Sequence, residues 1–292
     1  MVSLQLRYLR YKNTNTATMY TINCRGTLLD LNTPKIMGII NCTPDSFYDG
    51  SPNLSTENLL LQAQKMQKEG ADILDIGGQS SRPGSTRIDA DEEMKRVLPV
   101  IHALRQHLPD MILSIDTYRQ PVAQAAFEAG VSIVNDISAG ELDARMIPWV
   151  GENKLPYTCM HMQGRPETMQ DNPTYNEVTT DIIDFFIPKL DQCRKAGIVD
   201  VIIDPGFGFG KTMDHNFSLL KNLNQLSILN CPILAGVSRK GMIYKTLNSS
   251  ASEALNGTTV LHTIALLQGA KIVRVHDVKE AKEAILLTEK IK

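Results

Sequence analysis

Residues 199–211 read VDVIIDPGFGFGK, and this stretch decides the fold. Residues 199–203 are a short, mostly apolar run followed by the acid Asp204, Pro and Gly then break the chain, and residues 215–223 return to helical spacing. That is one strand–loop–helix unit. Toward the C-terminus the pattern repeats: residues 233–235 lead to a helical stretch over 252–268 that Gly269 stops. Residues 271–275 lead to a last helix, which Asp277 and Glu280 would open as a capping box. Toward the N-terminus the same unit recurs with strands at 155–160, 132–134, 111–115, 72–76 and 36–40. The helix after residue 89 places Met94, Val97, Leu98, Ile101, Leu104 and Leu108 on one face, and Asp89 with Glu92 resembles a capping box. Pro99 in that helix, and Pro188 in the one spanning 176–196, are expected to kink or split them. Short apolar strands alternating with helices require a parallel sheet covered by helices. Eight such units close a (β/α)8 TIM barrel; an open doubly wound sheet is the alternative. Residues 21–24 and 27–31 flank Arg25-Gly26 and predict a short β-hairpin before the barrel.

The composition agrees. The chain has 292 residues, 42% hydrophobic and 21% charged. About 150 residues per domain would give two domains, but no linker or composition break appears, so residues 20–292 are expected to form one barrel. A net charge of -2 supplies no global field for nucleic acid or an anionic membrane, so neither is an expected partner and any anion must be held locally. Cys24, Cys42, Cys159, Cys193 and Cys231 are odd in number, with no C-x-x-C, which predicts a reducing, cytoplasmic setting. No apolar run approaches a membrane span. Residues 1–19 are treated as an N-terminal extension; its basic, acid-free start is read as frayed or strand-like rather than as a transit peptide.

In a barrel of this kind function sits in the loops after the strands' C-terminal ends. Here those ends are all polar: Asn41; Gly77 to Gly84; Asp116; Asn135-Asp136; His161; Asp204; Ser238-Arg239-Lys240; Arg274 and His276. Asp116, Asn135 and Asp204 could each be a helix cap. Together, two carboxylates and an amide at one mouth fit a flat, donor-rich heterocycle. Asp75 lies inside a strand and is read as a structural acid; His161 is read as a packed core histidine. Arg82, Arg274 and His276 form a basic side suited to a diphosphate. Arg274 and His276, two apart on an extended segment, are expected to face one ligand. The GFGFGK run mimics a phosphate-binding loop but has Pro205 where the first glycine belongs. Its glycines are expected to let backbone approach a planar ligand, with Phe207 or Phe209 beside it. No His/Cys cluster suggests zinc.

Eight segments in order, NCTPDSFYDG (41–50), GGQSSRPGS (77–85), SIDTY (114–118), VNDISAG (134–140), MHMQG (160–164), DPGFGFGK (204–211), VSRKG (237–241) and IVRVHDV (272–278), resemble the dihydropteroate synthase family. The resemblance implies that a dihydropterin carrying a hydroxymethyl diphosphate condenses with 4-aminobenzoate, releasing diphosphate, in folate synthesis. It implies Asp116, Asn135, Asp204 and Lys240 on the pterin, with Asp116, Asp204 and Lys240 as catalytic groups. Asn41, Arg274 and His276 would hold the diphosphate, with Mg2+ at Asn41. Ser81, Arg82, Pro83, Phe209 and Ser238 would line the aminobenzoate pocket. It also implies a homodimer and a sulfonamide target. The chain departs from the family pattern at Ser81 for Thr, Gln79 for Glu and Cys42 for Val. The alternative is a methyltetrahydrofolate-binding methyltransferase of the same barrel type, which would need a corrinoid partner; a ligand-binding barrel without catalysis is a third reading.

Overall fold

The computed structural model describes residues 20–42, 56–80, 87–166 and 168–291. The expected extension at 1–19, the loop after Cys42, and Ser81, Arg82 and Pro83 lie outside the described residues. The chain opens with the hairpin β1 (Thr21–Cys24) and β2 (Thr27–Asp30). Arg25 and Gly26 both have positive φ, 55° and 93°, the two-residue turn that matches strand twist. Asn23 Oδ1 secures it by accepting the Gly26 N–H at 2.6 Å.

The barrel strands are β3 (Lys35–Asn41), β4 (Ile73–Gly77), β5 (Ile112–Asp116), β6 (Ile133–Asp136), β7 (Tyr157–Met160), β8 (Val201–Asp204), β9 (Leu234–Ala235) and β10 (Ile272–Val275). All pair in parallel, in the order β8-β7-β6-β5-β4-β3-β10-β9. A parallel bridge between Ile203 and Ile233 closes the ring. The helices are α1 (Thr56–Glu69), α2 (Ala90–His107), α3 (Gln120–Glu128), α4 (Met146–Glu152), α5 (Val178–Lys195), α6 (Met213–Lys221), α7 (Gly241–Tyr244), α8 (Leu255–Leu267) and α9 (Val278–Thr288). The eightfold barrel is therefore the architecture, and the open sheet is excluded.

Because side chains alternate along a strand, each strand sends one set inward and the other toward the helices. The outward set, such as Ile36, Ile40, Leu74, Leu113, Val134 and Ile203, joins the core under the helices. At the bottom, the inward residues Met37, Ile73, Ile112, Ile133, Ile202, Leu234 and Ile272 pack with Ile22, Cys24, Leu29 and Leu31. The hairpin is thus an apolar plug for the barrel's N-terminal end.

Three local expectations are narrowed or corrected. Of the kink or split expected at Pro99 and Pro188, the split is excluded: α2 and α5 run unbroken through them. Both prolines are exposed, so the carbonyl that loses its partner can bond to water, while the opposite face, Val97, Val100, Ile101 and Leu104 in α2, stays packed. Asp89 caps α2 by accepting from the Glu92 N–H at 2.8 Å, but Glu92 turns to Arg96 at 2.9 Å instead of completing the box. Asp277 makes no side-chain cap bond for α9. Its carboxylate is taken by Arg239, which donates from Nε at 2.8 Å and Nη2 at 2.7 Å.

Candidate active site

Two residues above the apolar layer the inward positions turn polar. Asp75 of β4 is fully buried, and its Oδ2 accepts from Arg274 Nε of β10 at 2.6 Å and from Asn135 Nδ2 of β6 at 2.8 Å. Arg274 Nη2 donates to Asp116 Oδ2 of β5 at 2.6 Å. One guanidinium thus ties two carboxylates, and an amide is fixed on the first. Burial alone would lower the pKa of Arg274, but the Asp75 and Asp116 charges reverse this and raise it. Burial pushes Asp116 up to about 7, with Arg274 opposing and Asp75, Glu93 and Asp136 adding to the rise.

Across the mouth stand Asp204 and Lys240. Asp204 Oδ1 accepts the Gly206 N–H at 2.7 Å, and burial raises its pKa against the pull of Lys240. Burial lowers Lys240 to about 8, although Asp204 works the other way. The Lys240 ammonium donates to the Phe207 carbonyl and lies 4.6 Å from the centre of the Phe209 ring. Phe209 joins an apolar group with Tyr118, Ile137, Leu142, Met160 and Met162, whereas Phe207 is fully buried. Only Phe209 of the two expected aromatics borders the mouth. The structure therefore brings Asp116, Asn135, Asp204 and Lys240 to one face of the barrel.

On the basic side, Arg274 lies on the two carboxylates, and His276 Nδ1 is 2.9 Å from Ser238 Oγ, which also accepts the His276 N–H at 3.2 Å. Ser238, expected beside aminobenzoate, is buried and engaged with His276. Asn41 ends β3, half-buried and in register with Gly77.

Two glycines after β8 bring neighbouring loops together. Gly206 and Gly210 have φ of 71° and 61°, and a Cβ on either would lie 1.9 Å from the His161 carbonyl or 2.3 Å from that of Gln163. They let this loop lie against the loop after β7. Lys211 braces it, its Nζ 2.9 Å from His161 Nδ1 and donating to the Gly206 and Phe209 carbonyls at 2.9 and 3.1 Å. A lysine folded onto its own loop agrees with rejecting the phosphate-loop reading. His161 is a core histidine: it meets Phe185 edge-on at 4.8 Å, and burial, then Lys211, lowers it to about 2. Gln79 Oε1 accepts the Ile88 N–H at 3.0 Å and its Nε2 donates to the Ser80 carbonyl at 2.9 Å, so the amide uses both of its ends at a site where Glu would only accept.

The profile of the family described as pterin binding enzyme matches residues 37–276. The chain belongs to this family. It is 43% identical over 271 residues to the dihydropteroate synthase of Escherichia coli (strain K12), covering 91% of this chain and 94% of that one. It is similar to the Yersinia pestis dihydropteroate synthase in complex with a sulfonamide drug, with TM-score 0.89, 41% identity, and coverage of 93% and 99% of the two chains. It is also similar to the Xanthomonas albilineans dihydropteroate synthase with 4-aminobenzoic acid, with TM-score 0.86, 36% identity, and coverage of 94% and 98%.

Asp75, read from the sequence as a structural acid, is fully buried; it has the inward parity of Gly77, and a buried acid needs a cationic partner, here Arg274. Arg239, at the polar end of β9, is engaged away from the other site residues. Its φ of 54° turns its side chain from the mouth to Asp277, tying the loop after β9 to the start of α9.

Proposed function

We propose that this barrel condenses the hydroxymethyl diphosphate of a 7,8-dihydropterin with 4-aminobenzoate, giving 7,8-dihydropteroate and diphosphate for folate biosynthesis. The carrying observation is the facing pair of charged groups, Asp116 with Arg274 on one side and Asp204 with Lys240 on the other, around the Asn135 amide. Carboxylates accept from the amino and N–H groups of a pterin edge, and the ammonium donates to its carbonyl. The dihydropteroate synthases it resembles, one of them with 4-aminobenzoic acid, support the second substrate.

The C–O bond to diphosphate breaks with its electron pair leaving on oxygen, and the pterin methylene becomes electron-poor. Ionised Asp116 and Asp204 stabilise that positive charge from fixed positions. The aniline lone pair then forms the C–N bond, and the nitrogen loses its proton to water; no strong base is required. Arg274 reaches the diphosphate by exchanging Asp116 for it at Nη2, and His276 lies on the same strand's end. Phe209 borders the aminobenzoate, with Ser81, Arg82 and Pro83 contributed by the loop after β4 and Ser238 through His276.

Mg2+ fits this donor set as a substrate-borne ion. Among the described residues no three His, Cys, Asp or Glu side chains form a metal cluster, while Asn41 offers one neutral oxygen donor at the mouth. Mg2+ keeps several waters and takes substrate phosphate oxygens beside one or two protein ligands. When bound it would neutralise charge on the leaving diphosphate.

A homodimer is supported by Val260, Ile264 and Leu267, which are exposed at helical spacing on α8. A cytoplasmic setting fits the five free cysteines; among the described residues no helix is long and apolar enough to cross a membrane. The test is diphosphate release. Mixing both substrates with Mg2+ should release it together with an equal amount of dihydropteroate, and omitting the pterin diphosphate should release none. Diphosphate release with no dihydropteroate formed from both substrates, or methyl transfer from methyltetrahydrofolate to a corrinoid, would overturn the reading.

A further inference from the structure

The hub of the site is a residue outside the pterin and diphosphate assignments above. We propose that Asp75 is a positioning residue: its Oδ2, shared between Arg274 and Asn135, sets where the guanidinium sits and which way the amide faces. The inference rests on the proposed condensation and adds to it the group that arranges its pterin-binding side.

Asp75 occupies the middle inward layer of β4, in register with Ile39 of β3 and Ser114 of β5. It is 0% exposed, so it cannot touch a ligand directly; it acts through the two side chains on Oδ2, at 2.6 and 2.8 Å. The other oxygen, Oδ1, has no hydrogen-bond partner among the described residues. Both bonds therefore converge on one atom, which links β6 to β10 across the barrel.

Two consequences follow from the chemistry of the groups. A carboxylate only accepts, so Asn135 must present its NH2 to Asp75, and its carbonyl is left for the ligand. With Asp116 and Asp204 this makes a wall of acceptors, matched to the donor-rich edge of a pterin. Arg274, for its part, is gripped through Nε, while Nη2 is given to Asp116. The Asp75 carboxylate is fully buried, whereas Asp116 and Arg274 each keep 20% side-chain exposure. Asp75 is accordingly the fixed point about which the outer end of Arg274 exchanges Asp116 for substrate. Without the Asp75 charge, Arg274 would be neutralised by Asp116 alone and would hold that carboxylate away from the ring.

The test separates positioning from mere support of the fold. Asp75→Asn keeps the size and removes the charge. In full-length protein with unfolding temperature measured alongside, the KM for the pterin diphosphate should rise about tenfold or more, with the KM for 4-aminobenzoate within twofold of wild type. Should Asp75→Asn not fold, Asp75→Glu, which keeps the charge but displaces its oxygens, should show the same split. A folded variant with both KM values unchanged, or both raised alike, overturns the proposal. Absence of condensation by the wild-type chain would instead remove the proposed function, so the two failures are distinct.

Discussion

The two ends of the barrel are built from the same strands. At the bottom the inward residues are Met37, Ile73, Ile112, Ile133, Ile202 and Ile272, sealed by Leu29 and Leu31 of the hairpin. Two positions along, the same strands carry Ile39, Asp75, Ser114, Asn135, Asp204 and Arg274. A step of two residues, about 7 Å, separates a dry plug from a layer of coupled charges. The difference teaches where each kind of energy is kept. The lower layer contributes stability by taking apolar area from water. The upper layer buries carboxylates at a cost in desolvation, offset by one arginine and one lysine, and holds them where a ligand can use them.

If that division is right, substitutions at the two ends should have separable effects. The largest effect on chemistry is expected from Asp116→Asn, which removes a charge facing the site: turnover should fall about 100- to 1,000-fold, with the unfolding temperature little changed. Steady-state kinetics with thermal unfolding checks this, and wild-type turnover would break the assignment.

Next comes pH. Asp116, raised to about 7, must be ionised, and Lys240, lowered to about 8, must keep its proton. The kcat/KM for the pterin diphosphate should therefore rise about tenfold per pH unit up to about 7 and fall above about 8. A profile flat from pH 5 to 9 would show that neither group titrates in the rate.

At the bottom, Leu31→Ala should cost about 2–5 kcal/mol of stability, because Leu31 is fully buried in the plug. Its kcat per folded molecule should be unchanged; denaturant titration and active-site counting together read both. The smallest effect is expected of Arg25→Ala at the exposed hairpin turn. It loses the bonds from Nη1 to the Phe127 carbonyl at 2.7 Å and the Val131 carbonyl at 3.3 Å, worth about 1 kcal/mol.

The hairpin and the barrel were legible in the sequence, because the Arg25-Gly26 turn marks a tight hairpin and eight strand–helix units favour closure over an open sheet; that the hairpin plugs the barrel was not. The site was half legible. That Asp116, Asn135, Asp204 and Lys240 stand at or just past strand ends could be read, since the mouth's position follows from topology. What could not be read was pairing. That Arg274 grips Asp75 and Asp116 while His276 takes Ser238 depends on which inward side chains meet across the barrel, 199 residues apart in one case. The fates of Asp277 and of the two prolines were hidden for the same reason. Local rules offered a capping box and a break, but a partner 38 residues away and solvent on the proline side decided otherwise.

The most direct test of the account is product stoichiometry in three proteins assayed together. The wild-type chain and Leu31→Ala should each form one dihydropteroate per diphosphate released, at equal rates per folded molecule. Asp116→Asn should form almost none while unfolding at the wild-type temperature. Equal activity in Asp116→Asn, or a loss of turnover in folded Leu31→Ala, would contradict the division of the barrel into a stabilising end and a reacting one.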